Sequence, residues 1–320
     1  MVVRRLRHDL AGGVDLVTSS TDLAMLEPLR IDGAVAVVTG GASGIGRALT
    51  RALIGGGARV VIADIESEAL ATTVEELDPG HAGAVVGHRT DVTDEESVSA
   101  LADAVWDRFG RCDLLFLNAG VTSGGGGWIW DQEPNDWRWC FGVNVFGTAI
   151  GVSTFVPRML ADGHRGHVVV TSSKDGGVAP VPHASVYAAS KAALSCLTES
   201  LQHQLVETGS AVRASVFYPS GGLLDTGLYS AARNRPTHLA RVAPGRGSMS
   251  FTQLVERVTE ATGAPPPIAD LDDLAAFVLA GVERGDFVIA RDLDVSAEVL
   301  HERADAIGRA ELPPRNRLKM

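Results

Sequence analysis

Short apolar runs recur along the chain, each closed by a turn residue, and longer amphipathic stretches fill the intervals between them. The runs predict strands near residues 34–39, 58–64, 84–89, 114–118, 167–172, 213–218 and 287–290. The amphipathic stretches predict helices near 44–55, 67–77, 95–109, 135–161, 185–207, 268–283 and 296–307. Such alternation is that of an α/β fold, a doubly wound parallel sheet of about seven strands with helices on both faces. Ligands of these sheets sit beyond the carboxyl ends of the strands. With no internal repeat, residues 31–310 read as one domain, 1–30 as an N-terminal arm and 311–320 as a C-terminal tail. The cluster Pro265-Pro266-Pro267 separates a substrate lid, at about 226–262, from the last sheet-packing helix.

The first strand runs directly into Gly40-Gly41-Ala42-Ser43-Gly44-Ile45-Gly46 and then a helix. Glycines at 40, 44 and 46 allow a tight turn, close backbone approach to a pyrophosphate, and phosphate oxygens against helix N-terminal amides. The turn alone is also compatible with an ordinary strand-to-helix connection. The second strand ends in Asp64, 20 positions after Gly44, where a carboxylate accepts from adenosine ribose hydroxyls and repels a 2′-phosphate. With Ser43 in the turn and no basic residue directly after Asp64, the expected cofactor is NAD rather than NADP.

Further along, Tyr187 and Lys191 stand four residues apart on a predicted helix, so both side chains leave one face. An ammonium beside a phenol favours the phenolate, which makes Tyr187 a general acid/base whose pKa is expected to fall below its ordinary value of about 10.

As a set these motifs resemble the short-chain dehydrogenase/reductase family in its compact single-domain branch, over about residues 30 to 310. The resemblance implies a Rossmann-type sheet, an adenine contact at Asp91 and Val92, and a central-strand motif at Asn118, Ala119 and Gly120. It implies a catalytic set of Asn144, Ser173, Tyr187 and Lys191. In that set Tyr187 exchanges the proton with the alcohol or carbonyl oxygen, and Ser173 hydrogen-bonds that oxygen. Lys191 holds the nicotinamide ribose and lowers the tyrosine pKa, and the main-chain carbonyl of Asn144 positions a relay water. The implied substrate is a small secondary alcohol or ketone, and the implied assembly a homodimer or homotetramer. Two departures stand out. Ser173 lies fourteen positions before Tyr187 where relatives show thirteen, leaving Ser172 and Ser173 as alternatives. The loop after the sixth strand reads Pro219-Ser220-Gly221-Gly222, where the family places Pro-Gly; Pro219, Gly221 and a displaced Thr226 are the expected nicotinamide contacts.

A net charge of −11 disfavours a nucleic-acid or membrane-surface partner, and no run approaches the roughly 18 apolar residues of a span. Three cysteines without a Cys-x-x-Cys pair suggest neither disulfides nor a metal site, and the N-terminal residues lack a signal-peptide core, so a cytoplasmic protein is expected. Trp128 and Trp130 form either an apolar wall for an aromatic substrate or part of a subunit contact, while Trp137 is expected to pack in the core. The lid carries Arg233, Arg235, Arg241, Arg246 and His238 without an acid from 226 to 255; these residues either pair with acids elsewhere or attract an anionic substrate. His183 is expected to lie outside the catalytic set. The rival readings are a dinucleotide-binding sensor or scaffold without turnover, an NADP-dependent carbonyl reductase, and a sugar epimerase or dehydratase.

Overall fold

In the computed structural model, which describes residues 29–80, 83–123, 127–243 and 249–313, all seven predicted runs are strands. They are β1 (Val35–Thr39), β2 (Arg59–Asp64), β3 (Val85–Arg89), β4 (Leu114–Leu117), β5 (Gly166–Thr171), β6 (Val212–Phe217) and β7 (Val288–Ile289). They pair in parallel in the order β3-β2-β1-β4-β5-β6-β7, so the chain reverses its winding between β1 and β4. The crevice for a ligand opens at that switch point.

The helices are α1 (Gly44–Gly55), α2 (Ser67–Leu77), α3 (Glu95–Phe109), α4 (Pro134–Phe141), α5 (Gly147–Asp162), α6 (Lys174–Gly177), α7 (Ser185–Glu207), α8 (Phe251–Thr262), α9 (Leu271–Arg284) and α10 (Leu293–Gly308). Strand residues alternate between two cores. Ala36, Val38, Leu114 and Phe116 face Leu49 and Leu53 of α1 and Leu274 and Val278 of α9. Val35, Val37, Leu115 and Leu117 face Leu101 of α3, Phe155 and Met159 of α5, and Leu194 of α7. A strand buried on both faces must be apolar at successive positions, which is why these runs were legible.

The single helix predicted for 135–161 is α4 and α5 joined by a π-helical turn over Gly142–Phe146. The combined stretch Pro134–Asp162 is long and apolar enough to cross a membrane by length and composition, but it is a core helix: Asn144, Thr148, Gly151, Phe155 and Met159 are buried. Within the lid, α8 was not foreseen, although Ser250 and Gln253 form a reciprocal capping box at its start. The predicted arm and tail, apart from residues 29–30 and 311–313, lie outside the described residues, as do 124–126 and 244–248 with Arg246.

Candidate active site

The β1 strand stops at Gly40, whose N–H donates to the Ala63 carbonyl at 2.7 Å and whose φ of 64° is left-handed. Gly44 also has a positive φ, 51°. At Gly46 a methyl group would strike the Gly40 carbonyl and lie 2.7 Å from Asn118 Nδ2, so only glycine lets the helix start this close to the strand. Ser43 occupies the N-cap of α1 without capping it, and no acid lies in the first turn, where Ile45 follows Gly44. The first amides of α1 are therefore left for an anion, and a dinucleotide pyrophosphate fits them.

Asp64 ends β2 as expected, but part of its capacity is already used. One oxygen accepts from Ala42 N–H (3.0 Å) and the other from Glu66 N–H (3.1 Å), so the carboxylate braces the glycine turn. Burial pushes its carboxyl above the usual range. A carboxylate has further lone pairs for ribose hydroxyls. Asp91 turns inward on its own loop, accepting from Thr93 N–H (2.9 Å) and Thr93 Oγ1 (2.7 Å), which leaves Val92 to line the crevice with Ala119 and Val143.

The strand ends are tied together by Thr39, a residue not singled out from the sequence. Its hydroxyl accepts from the N–H groups of Asn118 (2.9 Å) and Ala119 (3.1 Å), and Asn118 Nδ2 returns a bond to the Thr39 carbonyl (3.1 Å). Gly120 follows, and a Cβ there would lie 3.4 Å from both Asn144 Oδ1 and Lys191 Nζ. Asn144 is fully buried in the π turn; its side chain accepts from Val121 N–H (2.8 Å) and donates to the Val121 carbonyl (3.0 Å) and Ser190 Oγ (2.9 Å). Its main-chain carbonyl accepts from Thr148 Oγ1 (2.8 Å).

The two serines after β5 have different partners. Ser172 is buried and donates to the Lys191 carbonyl (2.7 Å), which fastens β5 to α7. Ser173 accepts from Asp175 N–H (3.1 Å) and lies near enough to the Tyr187 hydroxyl to favour its ionised form. The extra residue before Tyr187 is absorbed in α6, where Asp175 and Gly176 leave helical geometry.

Tyr187 and Lys191 do share a face, with Nζ 5.6 Å from the ring centroid, but the expected lowering of the phenol pKa is overturned. Burial and the charge of Asp175 push Tyr187 up, opposed by the nearby Ser173 hydroxyl. The ammonium donates to the Thr171 carbonyl (2.7 Å), and burial lowers Lys191 itself to about 8. In a site this buried, desolvation of a phenolate outweighs a neighbouring cation that is itself disfavoured.

Beyond β6, Pro219 leads into Ser220, which accepts from Arg291 N–H (2.9 Å). A Cβ on Gly221, whose φ of 102° is left-handed, would lie 3.4 Å from Arg291 Cδ. Thr226 joins the cofactor turn: its Cβ lies 3.0 Å from the Cβ position of Gly44. The lid then folds over the turn. Arg233 pairs with Glu66 (2.5 Å), Arg235 with the buried Asp136 (2.8 Å), and Arg241 with Asp136 and Glu133. Among the described residues, the lid arginines Arg233, Arg235 and Arg241 are thus held by acids elsewhere in the chain. The packing tryptophan is Trp139, 2% exposed against Val121 and Ala231, and not the half-buried Trp137. Trp128 and Trp130 stack on each other with centroids 5.2 Å apart, and Trp128 meets the exposed His183 edge-on.

Residues 34–236 match the model of the short chain dehydrogenase family. The chain is 36% identical over 236 residues to 1-deoxy-11-beta-hydroxypentalenate dehydrogenase of Streptomyces avermitilis, covering 74% of this chain and 83% of that one. A short chain dehydrogenase/reductase of Burkholderia phymatum, solved in complex with NAD, superposes with a TM-score of 0.79 at 36% identity, covering 91% of this chain and all of that one. A metagenomic short-chain oxidoreductase solved with NADP superposes with a TM-score of 0.55 at 34% identity, over 60% of this chain and 85% of that one. On the family match, these likenesses and the sheet order, the chain belongs to the short-chain dehydrogenase/reductase family, oxidoreductases that act on hydroxyl and ketone groups.

Proposed function

We propose that this protein interconverts a secondary alcohol and a ketone with NAD, using Tyr187 as the proton-transferring residue. The carrying observation is that Tyr187 and the buried Lys191 share one face of α7, with Nζ 5.6 Å from the phenol ring and bonded to the Thr171 carbonyl at the end of β5, the strand that Ser173 follows. NAD supplies the hydride acceptor, and its reduced form the hydride donor. Ser173 orients the substrate oxygen, and Tyr187 takes its proton in oxidation or delivers one to it in reduction. Lys191, fixed by the Thr171 carbonyl, holds the nicotinamide ribose, and Asn144 passes the proton to solvent through a water on its main-chain carbonyl. Gly40, Gly44, Gly46 and Thr226 hold the pyrophosphate.

Preference for NAD over NADP rests on Asp64 and Glu66 at the end of β2, which put negative charge where a 2′-phosphate would lie, with Arg233 already engaged by Glu66. The relative solved with NAD supports this reading, and the one solved with NADP marks the alternative. An apolar, aromatic substrate fits the stacked Trp128 and Trp130, which are 48% and 74% exposed on the segment that follows Gly120. We place the protein in the cytoplasm as a homodimer or homotetramer, in keeping with three free cysteines and with Phe146 exposed on the π turn.

The test is turnover of aromatic and aliphatic secondary alcohols with NAD and NADP. Tyr187→Phe should lower kcat by roughly 10²- to 10⁴-fold, the span of general acid/base contributions, while NADH binding stays within about threefold. Retained turnover in that variant, or preference for NADP, would overturn the reading.

A further inference from the structure

Residues 226–241 cross the crevice at the switch point and are tied down on both of its sides. At the glycine turn, Thr226 lies against Gly44, and a Cβ on Gly227 would lie 3.4 Å from Ser43 Oγ. On the β2 side, Arg233 grips Glu66, the N-cap residue of α2, through two parallel bonds, Nε to Oε2 at 3.0 Å and Nη2 to Oε1. Asn234 Nδ2 adds a third bond to Oε1 at 2.8 Å. Glu66 N–H in turn donates to Asp64, the residue read as the ribose contact. On the β4 side, Arg235 reaches Asp136 of α4 and the Ser123 carbonyl (3.3 Å), Arg241 shares Asp136, and Asn135 Nδ2 donates to the Ala240 carbonyl (3.0 Å).

The two attachments differ in kind. Asp136 is fully buried and the Arg235 side chain 9% exposed, so parting them strands charges in a dry site. Glu66 and Arg233 are 29% and 38% exposed, so water takes over their bonds when they part, and such a pair opens at modest cost. Arg233 also binds its own loop: Nη1 donates to the Gly227 carbonyl (3.1 Å) and to Ser230 Oγ (2.7 Å), which ties the part of the lid resting on the glycine turn to the part resting on Glu66.

We propose that Glu66, Arg233 and Asn234 form a clasp that closes the lid over the adenosine half of the cofactor site, and that the dinucleotide enters and leaves on this side when the clasp opens, while the attachment at Asp136 stays closed. Arg233 and Asn234 are then positioning residues, acting through the lid and not by touching the cofactor. The proposal rests on the dinucleotide reading of the glycine turn and is independent of which alcohol is the substrate. A clasp of this kind scales entry and exit alike, because the same opening precedes both, whereas loss of a direct contact with the cofactor shows mainly in exit.

The test is stopped-flow fluorescence of NADH with the wild type, Arg233→Gln, Glu66→Gln and the double variant. In each single variant the association and dissociation rate constants should both rise about fivefold, the worth of a partly exposed bidentate pair, while Kd stays within about twofold. The two substitutions change the local charge in opposite directions, so a shared acceleration is not an electrostatic effect on the anionic cofactor. The double variant should be no faster than either single one, because the clasp is already open. Unchanged rates, a rise in dissociation alone, or effects that multiply to about 25-fold in the double variant would overturn the clasp. Where the wild type binds NADPH better, the same rates are read with NADPH: a rise in both then supports the clasp while the NAD preference fails. If neither dinucleotide binds, the reading of the glycine turn fails and the clasp with it.

Discussion

Lys191→Met removes a buried ammonium while keeping a linear side chain, and the structure gives both the sign and the size of its effect on stability. Lys191 is 3% exposed, and burial lowers its pKa from 10.5 to about 8. In the unfolded chain a lysine keeps its proton until about pH 10.4. Between those values the unfolded state binds more protons than the folded one, so native stability rises with pH. The penalty for the buried charge is complete below about pH 8 and gone above about 10.5. At about 1.4 kcal/mol per pKa unit the whole effect is about 3 kcal/mol, of which about 2 kcal/mol falls between pH 7.5 and 9.5. Other groups, among them Cys140, whose pKa burial raises to about 11, also titrate on unfolding, but they are common to both proteins and largely cancel in the difference. The bond to the Thr171 carbonyl is lost at every pH and shifts the variant by a nearly constant amount. Urea unfolding of ligand-free wild type and variant at the two pH values should therefore show the wild type gaining about 2 kcal/mol on Lys191→Met as pH rises. A gap that stays constant within about 0.5 kcal/mol, the usual uncertainty of such differences, would refute the claim that desolvation dominates this lysine.

Ser173→Ala should reduce kcat by about 10²-fold, whereas Ser172→Ala should leave turnover within a few-fold and instead lower stability by about 1 kcal/mol, through the lost bond between β5 and α7. The opposite pattern in steady-state kinetics would exchange the two serines. Asp64→Ala should lower the NAD-over-NADP ratio of kcat/KM by about tenfold, as a nearby like charge is removed. It should also lower Tm, because the Ala42 and Glu66 amides lose their acceptor; undiminished NAD selectivity would count against the ribose contact. Asp136→Ala strands two lid arginines and should cost about 3–5 kcal/mol in urea unfolding, and a loss below about 1 kcal/mol would show that the lid docks without this pair.

What could be read from the sequence was what physics makes local. Val35 to Thr39 are all buried, so β1 is a continuous apolar run, and Gly40 and Gly44 have conformations that other residues rarely adopt. Asn144 could be placed on its helix, but the π turn around it could not be seen, since one inserted residue leaves the apolar pattern of 135–161 almost unchanged. Trp137 and Trp139 are two positions apart on α4, nearly opposite faces of a helix, and which is inside is decided by distant partners, Val121, Ala231 and Leu239, that pack on Trp139. The lid arginines were ambiguous because their partners are distant: Glu66 is 167 residues from Arg233, and Asp136 is 99 from Arg235.

The Tyr187–Lys191 pair shows most clearly where sequence reasoning stops. Helical spacing correctly predicted that the two side chains share a face, because that depends only on backbone geometry. It gave the wrong direction for the tyrosine, because the sign depends on competition between attraction and desolvation, and burial is a property of the whole fold. Two further facts reinforce the reversal: the ammonium is directed to the Thr171 carbonyl, and the charge of Asp175 disfavours the phenolate. The ligand-free protein therefore keeps Tyr187 protonated, ready to act as an acid toward a ketone. To act as a base toward an alcohol it needs its surroundings made more positive.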